Sequence, residues 1–239
     1  MNSSYSSQAL DIGEIPVSEI EVDERATFIT RTYAHLLGAI ALFAGIEVAL
    51  FKSGLADSLI QAMQGRWILV FAGFVIVSWI ASHAAARARS LPVQYMALLA
   101  FVALEAVIFV PILWIADRVA GGELIANAAI VTMGGFAGLT FIAFTTRKDF
   151  SFLGGVIRFG MFAAVLAIVA GLFFGFHLGT GFSILMVLLA GAAILYDTSN
   201  VLHHYPKDRY VAASLALFAS VAMMFYYVLR IFIAMQSDD

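Results

Sequence analysis

Seven stretches of this chain are apolar over about the length that an α-helix needs to cross a bilayer, and few folds accommodate that. They run at 33–51, 67–84, 93–116, 124–145, 153–173, 181–200 and 210–236. A helix rises about 1.5 Å per residue, so roughly 20 apolar residues cover the hydrocarbon. Apolar residues make up 62% of the chain and charged residues 12%, with a mean hydropathy of +0.96. Soluble domains average roughly 45–50% and 25%. A water-soluble fold of 239 residues could not hide that much apolar surface, so lipid is the solvent. The expected fold is an all-α integral membrane bundle of seven transmembrane helices, residues 31–239.

The breaks between the runs carry turn and charge chemistry: Lys52-Ser53-Gly54, Arg87 to Pro92, Gly121-Gly122, Arg147-Lys148-Asp149, Gly179 to Gly181 and Pro206 to Arg209. Residues 1–30 are polar and acidic, with Asp11, Glu14, Glu19, Glu21, Asp23 and Glu24 set against Arg25. They read as a loosely held cytoplasmic tail, with no basic-then-apolar secretory leader. Net charge is −3 and the 13 Lys and Arg are scattered, which excludes a basic nucleic-acid footprint. The chain has no cysteine, so disulfides and thiolate metal sites are excluded.

Orientation follows from the basic residues. The tail and alternate loops carry Arg25, Arg31, Arg87, Arg89, Arg147, Lys148, Lys207 and Arg209, against Lys52, Arg66 and Arg118 on the other side. Eight against three places the N-terminus in the cytoplasm. Gly134/Gly138 and Gly171/Gly175 form GxxxG pairs, expected to pack helices within the bundle, and Pro111 is expected to kink the third span.

Five ionisable residues fall inside predicted spans: Glu47, Glu105, Arg158, Asp197 and Arg230. Each costs roughly 2.5–3.5 kcal/mol in lipid even on a lenient scale. Counting depth along the helices puts Arg158 beside Asp197 near the inner end, and Glu47 beside Arg230 near the outer end. Each couple is expected to form an ion pair, and the first a pH-dependent latch. Glu105 is left alone near the midplane, where it lines a wet cavity or carries its proton. The set reads either as structural bridges or as a polar pathway. His35, His83, His177, His203 and His204 lack metal-ligand spacing, and neither a metal nor a cofactor is implied. His203 and His204 read as solvated loop residues or as pH sensors.

The segment Leu195-Tyr196-Asp197-Thr198-Ser199-Asn200 closes an apolar helix with an acid, and the last helix ends Val228-Leu229-Arg230-Ile231-Phe232. With Phe28 to Tyr33 and Thr140 to Phe150, this resembles the Bax inhibitor-1 family, especially its bacterial YccA-type branch, over about residues 25–234. The resemblance implies six helices around a central seventh. Members of the family leak calcium under the control of two aspartates on the sixth and seventh helices. Asp197 matches the first, and the second position falls at Ser220. The YccA-type branch is linked to a membrane-anchored AAA protease, FtsH. The resemblance therefore implies a non-enzymatic inner (plasma) membrane protein that binds and modulates an FtsH-type protease in quality control. The alternative is a pH-sensitive calcium or proton leak involving Asp197. An intramembrane aspartyl protease is excluded, because its chemistry needs two carboxyls sharing a proton and Asp197 is the only aspartate in the predicted spans.

The lack of native cysteine allows a direct topology test. Ser7→Cys and Ser90→Cys are expected to be shielded from impermeant thiol reagents in intact cells, and Ser53→Cys and Ser237→Cys to be labelled. Labelling at Ser7 with protection at Ser237 would reverse the orientation.

Overall fold

Turn residues stop each apolar run, and the helices fall between them. The computed structural model describes residues 15–88 and 90–237. It contains α1 (Val22–Lys52), α2 (Leu55–Met63), α3 (Trp67–Arg87), α4 (Leu91–Ala120), α5 (Gly122–Thr146), α6 (Leu153–Phe174), α7 (Thr180–His203) and α8 (Tyr210–Ser237). Among the described residues, seven helices, all but α2, are long and apolar enough to span a bilayer. The chain is an all-α integral membrane bundle. Gly175 ends α6 with φ +73, a left-handed conformation that costs a glycine little, and its N–H caps the Gly171 carbonyl at 2.9 Å.

The last helix sits at the centre. α8 packs against α1, α3, α4, α5 and α7, while α6 leans chiefly on α7. α4 is a second buried helix, with an inward face from Gln94 through Phe101, Glu105 and Phe109 to Ala116. Pro111 lies inside it without ending it. By contrast, the buried residues of α3 are Ala81 and Ala85 only, so most of that helix faces lipid. α1 buries one stripe, Phe28, Thr32, Leu36, Ala39 and Glu47, at helical spacing.

Two elements were not legible as helix beforehand. α2 is nine residues in the stretch read only as a connection, and at about 14 Å it is too short to span. It buries Ala56 and Met63, and its Asp57 accepts a 2.9 Å hydrogen bond from Trp114 Nε1 of α4. α1 begins at Val22, inside the segment read as a tail. Its 31 residues reach about 46 Å, beyond the ~30 Å hydrocarbon, so the charged first turns stay helical in the polar zone.

Ahead of α1 the chain is strapped to the bundle rather than loose. Val17 is fully buried, its N–H donates to Tyr205 O at 2.9 Å, and Pro16 forms an isolated bridge with Pro206. Ser18 Oγ donates to His203 O at 2.8 Å, and Arg25 Nη2 to Leu202 O at 2.9 Å. The last carbonyls of a helix have no partner within it, and the strap supplies two of those of α7. Lys207 pairs with Glu24 at 2.9 Å across the same rim, too exposed to add much stability. Residues 1–14, Arg89 and residues 238–239, which include the start of the expected tail and one residue of the charge count, lie outside the described residues.

The glycine expectation needs correction. Gly134 and Gly138 face outward, and a Cβ at either would meet nothing within 4 Å. Their stripe is shared by the exposed Val131, Phe141 and Ile142, so it is a lipid face. Close helix approach occurs elsewhere. A Cβ on Gly154 would fall 2.9 Å from the Tyr196 ring, and one on Gly160 2.8 Å from Leu189. Gly154→Leu should therefore cost about 1–3 kcal/mol through overpacking. Gly138→Leu should stay within about 0.5 kcal/mol. Thermal unfolding in detergent compares them; equal costs would return the GxxxG pair to a helix contact.

Candidate functional site

Asp197 and Ser220 meet, on facing turns of α7 and α8. Ser220 Oγ donates to Asp197 Oδ2 at 2.5 Å, in the range of a charge-assisted O–H···O bond. Ser220 is buried, and the acid is partly so. The hydroxyl at Ser220, the position that the resemblance gives to a second aspartate, thus holds Asp197 as a hydrogen-bond donor.

Neither expected ion pair forms among the described residues. Arg158 is exposed on α6, and its Nε donates to Gly154 O at 3.0 Å, four residues back along its own helix. Its long stem snorkels toward the basic end, where the head finds a polar partner without crossing to α7. The contacts of Gly154 with Tyr196 and of Gly160 with Leu189 also put the Arg158 backbone roughly 6–8 Å deeper than that of Asp197. Arg230 donates from Nη2 to Leu178 O in the α6–α7 connection and lies 6.0 Å above the Phe182 ring. Both Glu47 carboxyl oxygens are buried without a hydrogen bond.

The depth of Glu47 explains the second failure. Phe43, one turn before it, meets Phe218 at 6.0 Å and Phe109 at 5.0 Å between ring centroids. Arg230 therefore lies roughly 8–12 Å further along α8. Those rings place Glu105 too. Phe101 and Phe109 bracket it on α4 and meet Phe218 and Phe225 of α8 at 6.2 Å and 5.7 Å, so Glu105 is level with Ala222. It is buried, with no hydrogen bond or ion pair among the described residues. Glu47, Glu105 and the Asp197–Ser220 bond thus gather within about a turn or two of the middle of α8, from α1, α4 and α7. Counting depth from helix ends missed this, because α1 starts early in the polar zone and, with Phe43 level with Phe218, ends well before α8 does.

At the basic face, a loop acid organises the α5–α6 turn. Asp149 Oδ2 lies 3.1 Å from His204 Nε2, Oδ1 accepts from Ser151 N at 2.8 Å, and Ser199 Oγ accepts from Phe150 N at 2.9 Å. The Ser151 N–H, then His204, hold the Asp149 carboxyl down from 3.8 to about 2. His204, read as solvated or pH-sensing, is thus tied to that loop. Among the described residues no three His, Cys, Asp or Glu converge to hold a metal ion.

A double-mutant cycle separates the observed bond from the expected latch. Ser220→Ala should destabilise by about 1–3 kcal/mol by stripping a buried acid of its donor. Asp197→Asn combined with Ser220→Ala should show coupling of about 0.5–3 kcal/mol in unfolding experiments. The cycle of Asp197→Asn with Arg158→Gln should show almost none. Strong coupling to Arg158 would reinstate the latch.

Comparison with known proteins extends these observations. The family model described as "Inhibitor of apoptosis-promoting Bax1" matches residues 25–238. The chain is 29% identical to Bax inhibitor 1 of Schizosaccharomyces pombe over 232 residues, covering 94% of this chain and 82% of that one. It is 38% identical to a Pseudomonas aeruginosa protein over 120 residues, 50% of this chain and 54% of that one. With the modulator of FtsH protease YccA of Escherichia coli K12 it shares 34% identity over 113 residues, 46% of this chain and 50% of the relative. The chain thus matches about half the length of these two bacterial relatives. With the model matching from the first turn of α1 to the end of α8, the chain belongs to the Bax inhibitor-1 family of multi-pass membrane proteins.

Proposed function

We propose that this protein is a non-enzymatic inner-membrane component that binds and modulates a membrane-anchored AAA protease of the FtsH type. The observation that carries this reading is the 34% identity to the Escherichia coli modulator over 113 residues. A further Escherichia coli relative, equally similar, is called an inner membrane protein. The physical support lies at the strapped rim. Residues 15–20, which follow the polar stretch 1–14 in the sequence, are pinned to the α7–α8 connection at the basic face of a well-packed bundle. A polar segment attached to a stable domain is where an unfoldase gains purchase or a partner docks.

Pull-down from native membranes tests the proposal, with the full chain and with residues 2–14 deleted, a deletion that spares the strap. The full chain should recover the protease, and the deletion should lower recovery several-fold and lengthen the cellular half-life. Failure to recover the protease with either chain would overturn it. A second reading, a proton or cation leak, is favoured by the gathering of Glu47, Glu105 and Asp197 about the middle of α8. In vesicles loaded with a pH or calcium dye, Glu105→Gln and Asp197→Asn should reduce flux under that reading and leave it unchanged under the first.

A further inference from the structure

Between α1, α5 and α7, at their basic ends, the bundle leaves a crevice of about 320 Å³ whose lining includes Val22, Ile29, Phe144 and Leu202 as well as Arg25 and Arg147. We propose that it binds an anionic phospholipid of the leaflet on that face, its phosphate held by the two guanidinium groups and the start of an acyl chain lying against the apolar wall. This goes beyond the protease reading and does not depend on it.

The chemistry of the walls carries the proposal. The apolar side chains offer nothing to a free ion, and the two arginines offer nothing to a neutral chain. Together they fit a molecule that is anionic at one end and apolar at the other. Guanidinium groups bind phosphate oxygens through parallel N–H donors, and basic pockets between membrane helices are where lipid head groups dock. Arg25 is already positioned, because Nη2 is bonded to Leu202 O and the remaining donors are left over. The Arg147 side chain makes no hydrogen bond or ion pair among the described residues. The residue caps α5 at φ +49, where glycine or asparagine is the usual occupant. The neighbouring acids are engaged elsewhere, Glu24 with Lys207 at 2.9 Å and Asp149 with His204 at 3.1 Å. No ion pair among the described residues neutralises either arginine.

The level is also that of head groups. Arg147 directly follows the last residue of a spanning helix, and Arg25 lies in the first turn of α1, the part of that helix that overhangs the hydrocarbon. Phe141 and Ile142, about a turn and a half below Arg147, are exposed on the lipid face, so the crevice borders the region where acyl chains run.

The test uses the purified full chain in a zwitterionic detergent, with dioctanoyl phosphatidylglycerol as probe and native mass spectrometry or calorimetry as readout. The wild-type chain should bind phosphatidylglycerol at least about tenfold more tightly than dioctanoyl phosphatidylcholine, the scale of one or two charge-assisted hydrogen bonds. Arg147→Gln is the decisive variant, since that side chain is exposed and bonds to nothing else among the described residues. It should weaken phosphatidylglycerol binding about tenfold, while Lys148→Gln, which removes the adjacent charge outside the crevice, should change it less than about twofold. Equal binding of the two lipids would overturn the proposal. So would equal losses in Arg147→Gln and Lys148→Gln, which would mean diffuse surface charge. Competition by inorganic phosphate at the lipid's own concentration would make this a free-anion site and overturn it as well.

Discussion

Lipid offers no hydrogen bonds, so every polar group within the membrane has to be answered by the chain itself. The structure meets that constraint in part by placing α8 at the centre with α4 beside it and gathering the interior polar groups around them, although the Glu47 and Glu105 carboxyls keep no partner among the described residues. Asp197 finds Ser220 there. Arg158 is answered by a carbonyl of its own helix, and Arg230 by a carbonyl of the α6–α7 connection. Long cationic side chains can reach outward to polar partners; short carboxylates cannot, and they remain inside. That asymmetry explains why the interior collects acids about mid-α8 while the arginines lie on the periphery.

The same constraint shapes the basic face. The end of α7 would leave unpaired carbonyls at the rim, and Ser18 of the segment before α1 and Arg25 of the first turn of α1 cover them. Capping α7 in this way anchors Val17 under the α7–α8 connection and positions Arg25 at the edge of the α1–α5–α7 crevice. One set of hydrogen bonds therefore ties the entry of the chain, the end of the sixth span and a basic crevice into a single unit. The Asp149–His204 contact secures the neighbouring α5–α6 loop to the same helix end.

Much of the fold was legible, because the signal for a spanning helix is local: about 20 apolar residues between turn residues, each of which lies in the sequence itself. Boundaries were less so. Val22–Thr30 looked like a polar tail because composition cannot tell a loose segment from a helix that overhangs the membrane. Gly134 and Gly138 looked like a packing motif because spacing does not tell which face of α5 is turned inward. The family resemblance was carried by the Tyr196-Asp197-Thr198-Ser199 element, whereas the contact of Asp197 with Ser220 is visible only in the packed helices.

Residue order and composition carry the seven spans, the membrane as solvent, the family and the basic sidedness. Which polar residues meet is settled only by how the helices pack. Pairing requires agreement in depth, in azimuth and in side-chain reach, and helices of unequal length and overhang do not share a common zero of depth. Arg158 therefore parts from Asp197 and Arg230 from Glu47, while Glu47, Glu105 and Asp197 gather from α1, α4 and α7 about the middle of α8.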